Sequence, residues 1–158
     1  MYVAHSNPDP KLPAPNNAAA VYTMTLSGTT AQLTPVFGVN DPAAVIVGGG
    51  PATPMGLTDP DSNRYLSAMG GGTLIQVAQG DSKLVLTTNL GSGKPTLKQL
   101  TLTNATTPRH GAATPQPDDI VQITGAGTLY VVDQGPSGLV YAARRPNDTC
   151  IRRLSSLA

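Results

Sequence analysis

Asp59-Pro-Asp-Ser-Asn63 is the stretch whose residue types and spacing come nearest to doing chemistry. Oxygen donors at alternate positions begin a calcium loop, because a hard cation gathers several carboxylate and carbonyl oxygens. The continuation breaks the pattern. The sixth position is Arg64 where such a loop turns on Gly, and the twelfth is Gly70 where it needs a bidentate Glu. A plain Asx-turn is therefore expected here. His5 and His110 are the only histidines. A Ser–His–Asp arrangement would need one of them as base, but no Gly-x-Ser-x-Gly elbow is present, and both are expected to be solvated. Gly48–Gly50 and Gly70–Gly72 are followed by no Lys-Ser/Thr pair and open no helix, so neither reads as a phosphate loop. Cys150 is the single cysteine; it cannot close an internal disulfide, and no Cys/His cluster exists for zinc.

Charge narrows the partners. A net charge of +1 argues against nucleic acid, which needs a clustered basic stripe. Arg144-Arg145 and Arg152-Arg153 form the one basic cluster, and the solvated face of a terminal strand is the expectation for it. The longest apolar runs, such as Ala43–Val47 and Leu129–Val132, are too short to span a membrane as helices. Low charge with abundant Thr, Ser, Gly and Pro suggests an exported protein, extracellular or periplasmic. The first residues, MYVAHSNPDPKLP, have no basic region and no apolar core, so they do not read as a signal peptide. The chain is then expected to be processed at its start or to be a piece of a longer one.

The elements that must position these residues are strands. Gly (17) and Pro (15) are plentiful in the 158 residues, and both suit turns better than helix interiors. No stretch holds a 3.6-residue period over three turns. Short β-branched or Leu/Tyr-rich segments recur instead, bounded by Gly, Pro, Asn or Asp: Val21–Leu26, Ala31–Phe37, Leu74–Val77, Lys83–Thr88, Leu97–Leu102, Ile120–Thr124, Thr128–Val132 and Gly138–Ala143. An all-β single domain over 1–158 follows.

Some of these segments repeat. Leu74-Ile-Gln-Val, a turn and Lys83-Leu-Val-Leu-Thr-Thr-Asn match Ile120-Val-Gln-Ile, a turn and Thr128-Leu-Tyr-Val-Val-Asp-Gln, and a third strand follows each pair. Met1-Tyr-Val-Ala-His-Ser-Asn fits the second strand of the same unit. A period of roughly 40–50 residues built from successive short strands is the signature of propeller blades. Three blade-like units are expected, at about 1–38, 71–105 and 117–156, with 39–70 an irregular connector containing a possible strand at Ala43–Val47.

Two places carry a family resemblance. Pro54-Met-Gly-Leu-Thr-Asp-Pro-Asp-Ser-Asn-Arg-Tyr-Leu resembles the blade opening of the NHL and SMP-30/gluconolactonase-like β-propellers, and Asp118-Asp-Ile through Gly127-Thr-Leu-Tyr-Val-Val-Asp-Gln-Gly resembles their strand–turn–strand core. The resemblance implies an incomplete ring of antiparallel blades. It also implies where a divalent metal such as calcium would sit if the chain were a lactonase-like hydrolase, with Asp119, Asn89 and Asp133 as its contributors.

Three functions are weighed on this basis. The first is a non-enzymatic, exported binding or assembly module of propeller type, associating with itself or another protein chain through unclosed blade edges. The second is a metal-dependent hydrolase acting on a lactone or similar ester. The third is a β-sandwich surface or capsid structural protein.

Overall fold

A computed structural model describes residues 1–6, 8, 18–67, 71–103, 115–123, 128–133, 140–143 and 152–154. All regular elements among the described residues are strands: β1 (Tyr2–Ala4), β2 (Ala19–Ser27), β3 (Thr30–Gly38), β4 (Pro42–Val45), β5 (Thr53–Pro54), β6 (Pro60–Leu66), β7 (Thr73–Ala78), β8 (Lys83–Thr88), β9 (Thr96–Thr101), β10 (Pro117–Ile123), β11 (Thr128–Asp133), β12 (Val140–Ala143) and β13 (Arg152–Leu154). The all-β expectation holds. Each of the eight strand segments read from the sequence overlaps a strand, although Thr124 and Gly138-Leu139 lie outside the described residues.

The strands form three sheets, ordered β1-β2-β3, β10-β11-β12-β13 and β5-β4-β9-β8-β7-β6. The six-stranded sheet is the centre. Its spine is the meander β6–β9, every neighbouring pair antiparallel. β7 is Thr-Leu-Ile-Gln-Val-Ala and all six residues are buried, as expected of a strand covered on both faces. Alternation splits its side chains between two apolar clusters. Leu74 and Ala78 join Val85, Leu97, Met55, Leu57 and the bases of β2 and β3. Ile75 and Val77 join Leu66, Leu84, Leu102 and Ile120, which β10 brings to the opposite face.

The propeller expectation fails at β9. A blade is an antiparallel meander that stacks on its neighbours around an axis. Here β9 is flanked by β4 in parallel, with Ala44 opposite Lys98 and Val45 opposite Gln99. Residues 39–70, expected to be an irregular connector, supply three strands of the central sheet. Backbone bonds from Met55 N–H to Asp41 O (3.3 Å) and from Leu57 N–H to Val39 O (3.1 Å) fold this stretch back on itself, which buries Val39, Ala43, Met55 and Leu57 together. The two segments whose likeness suggested a repeat also have unlike surroundings. Leu84–Thr88 lies within the mixed six-stranded sheet, whereas Leu129–Asp133 is the second strand of an antiparallel four-stranded one. The meanders are real, but the sheets are open, non-radial layers. The NHL and SMP-30-like resemblance is thereby overturned, and with it the blade repeat and the incomplete ring.

Candidate functional site

The most distinctive surface is the distal part of the β2–β3 hairpin. Both strands are nine residues long, yet only Ala19–Val21 of β2 and Phe37-Gly38 of β3 are buried. Beyond them the hairpin leaves the body as an arm. Gly28 and Thr29 form its two-residue turn between the paired Ser27 and Thr30. Gly28 has φ +60°, which fits the first central position of a type II′ turn, whose twist matches that of the flanking strands. The Thr30 hydroxyl donates to Ser27 O (2.8 Å) and reinforces it.

Register sorts the arm into two faces. Tyr22 pairs with Pro35, Met24 with Leu33 and Leu26 with Ala31, while Thr23 pairs with Thr34, Thr25 with Gln32 and Ser27 with Thr30. Cross-strand partners share a face and successive residues alternate. One face is therefore wholly apolar and the other wholly Thr, Ser and Gln. In a hairpin the apolar side ordinarily lies on a core, yet Leu26 is 71% exposed and Leu33 49%.

The arm also has open edges. Met24 N–H bonds Met1 O (2.8 Å), so its backbone groups point to β1, away from β3. Alternation along an antiparallel ladder then turns the N–H and C=O groups of Ala31 and Leu33, and the C=O of Pro35, toward the free side of β3. On the other side β1 reaches only as far as the Tyr2–Thr23 pair and the Met1–Met24 bonds. Natural edge strands are usually protected by charge, proline or a bulge. Apart from Pro35 the distal arm has none of these: no Asp, Glu, Lys or Arg occurs from residue 12 to residue 40, and both bulges lie at its base, near Val21.

A second polar feature lies where β10 meets β6. The Asp61 carboxyl is held above its ordinary value, first by burial, then by a hydrogen bond with the Asp118 side chain and by the negative charges of Asp118, Asp59 and Asp119. The Ser62 hydroxyl donates to Asp118 O. This acidic junction ties β10 to the edge of the central sheet.

The described residues singled out in the sequence lie on or beside separate elements. Asp119 is exposed on β10, where its Oδ1 accepts the Ile120 N–H (2.6 Å). Asp133 is on β11, opposite Pro117 in register. Asn89 follows β8 at the far end of the central sheet, with φ +57°, and its Nδ2 donates to Thr96 Oγ1 (3.0 Å). Among the described residues no group of three or more His, Cys, Asp or Glu could hold a metal, so the lactonase-like hydrolase reading loses the site it needed. Asp59–Asn63, expected to be a plain Asx-turn, instead runs into the bulged start of β6, with a register shift between Pro60 and Asn63. The His5 ring sits 3.0 Å from Ala19 O and beside Tyr22, a structural placement in place of the expected solvated one. Arg152 and Arg153 lie on β13, while His110, Arg144, Arg145 and Cys150 lie outside the described residues. No described helix is long and apolar enough to cross a membrane.

The arm was not found from the sequence, although its signals are there: two runs of strict apolar/polar alternation flanking Gly28-Thr29 in an uncharged stretch. The acidic junction gave no such signal, because Asp61 and Asp118 are far apart in the chain.

Comparison of the chain with protein-family models, with curated proteins and with solved structures finds no match.

Proposed function

We propose that the protein is a structural or binding module that joins another protein chain through the β2–β3 arm. One observation carries this reading: an apolar face, exposed at Leu26 and Leu33, on a hairpin whose outer edge carries no charge. A two-stranded hairpin is marginal in water unless a further strand or a packed layer supports it. A protruding arm with one apolar face is therefore incomplete by itself, and added strands or a docked surface complete it. The open ends of the sheets support association in the same sense. An exported location, suggested by composition, belongs to this proposal as well.

A photo-crosslinking residue placed at position 26 or 33, in cells that make the protein, tests the reading. A discrete adduct is expected from the arm and none from Ser92, an exposed control in the β8–β9 turn. If the arm positions yield no adduct, the proposal is wrong.

A further inference from the structure

We infer that the arm's partner is the arm of a second copy, the two β3 strands pairing antiparallel about a two-fold axis at Gln32. The inference rests on the arm being a docking surface, and adds what docks there.

The backbone supplies the first argument. On the free side of β3 the groups turned outward belong to Ala31, Leu33 and Pro35, and the same alternation puts Ala31, Leu33 and Pro35 on the apolar face. Two copies that exchange bonds between these groups therefore set apolar face beside apolar face; no slip that keeps the bonds can mix the faces.

Proline selects the register. With the axis at Leu33, Ala31 would oppose Pro35 of the partner subunit, and Ala31 O would find no N–H there. With the axis at Gln32, Ala31 opposes Leu33 of the partner subunit, each exchanging both bonds, for four bonds in all. Pro35 then opposes Thr29 in the turn of the partner subunit, where the ladder ends. Each Leu33 lies diagonal to the other, within reach of side-chain contact. On the polar face the two Gln32 amides meet, and each is both donor and acceptor.

Charge and closure point the same way. The arm offers no counter-charge to a charged strand, whereas a second arm is equally uncharged, equal in length and patterned alike. A two-fold pairing uses the free edge of β3 in both copies at once, and β1 already covers β2 as far as Met24. The assembly closes as a dimer instead of extending into a fibre.

Sedimentation of the purified full chain over a concentration series is the test. The expected species has twice the 16.2 kDa chain mass. Leu33→Pro removes an outward N–H, which a β-edge tolerates, together with the leucine side chain at the seam, and should weaken the dimer at least about 100-fold. Gln32→Lys alters an exposed side chain. It should give a monomer by itself and a mixed dimer when combined with Gln32→Asp, even if the proline variant misfolds. A monomer up to ~1 mM, or a dimer indifferent to both Gln32 substitutions, overturns the inference. Arm adducts in cells to a different protein would also overturn it, while leaving the docking role intact.

Discussion

Asp61 on β6 and Asp118 on β10 hydrogen-bond side chain to side chain, so two carboxyl groups of like charge join the central sheet to the strand that covers it. Burial and the neighbouring carboxylates favour the protonated form of Asp61, and a proton there relieves its repulsion with Asp118. Because Asp61 holds its proton more tightly folded than at the ordinary value of 3.8, its contribution is complete below that pH. It is lost as pH rises through the raised folded value. Asp61→Asn keeps a neutral hydrogen-bonding group at every pH. The variant should melt up to about 2 °C above the wild type at neutral pH, and the difference should vanish toward pH 4. Thermal melts across pH check this, and a constant offset would show that protonation of Asp61 is not the cause.

Thr87 lies on β8 of the central sheet with its hydroxyl buried and without a partner. Valine has the same shape without the oxygen. Thr87→Val should therefore stabilise the protein by about 1 kcal/mol, because an unpaired buried hydroxyl is removed. A melting point higher by about 2–4 °C is the expected readout.

Gln99 ties the parallel strand to the sheet. Its Nε2 donates to Ala43 O (3.1 Å) and to Thr53 Oγ1 (3.0 Å), joining β9 to both β4 and β5. Gln99→Leu fills the space but removes these bonds, and should cost about 1–3 kcal/mol. Amide exchange should speed up first at Ile46, whose N–H bonds Gln99 O (3.0 Å). Unchanged protection there would mean that the glutamine is not what holds β4.

Gly72 has φ +106°, and a Cβ at this position would come within 2.2 Å of the Tyr65 hydroxyl oxygen. The Tyr65 ring itself leans on Tyr2, centroid to centroid 5.8 Å, linking β1 to β6. Gly72→Ala is expected to cost about 1–3 kcal/mol in chemical denaturation. Adding Tyr65→Ala should recover the steric part and leave the backbone part, and full recovery would show that φ carries no strain.

Strands were legible because their signal is local. β8, Lys-Leu-Val-Leu-Thr-Thr, reads as a strand from its own residues, and so does β2. β6 was harder, since Asp61, Ser62 and Asn63 are poor strand formers and the register slips among them. The pairing of Ala44 with Lys98 was hidden, because periodicity within a segment says nothing of which distant segment lies beside it. That hidden pairing turned an apparent blade into an interior piece of a larger sheet. The acidic junction and the Gln99 bridge escaped for the same reason. The arm differs: its alternation is written in residues 22–35, but only burial reveals that nothing described covers it.

The parallel contact between β4 and β9 also sets an order of events during folding. β6 to β9 join neighbours across short turns, so they can assemble early, whereas β4 must await residues made more than fifty positions later. The arm's anchoring residues, Val21 and Phe37, wait too, because the cluster that receives them includes Leu74, Val85 and Leu97. On the ribosome the uncharged hairpin is thus exposed well before its own scaffold exists. If the arms pair as inferred, two nascent chains on one messenger can join through them before either scaffold is complete.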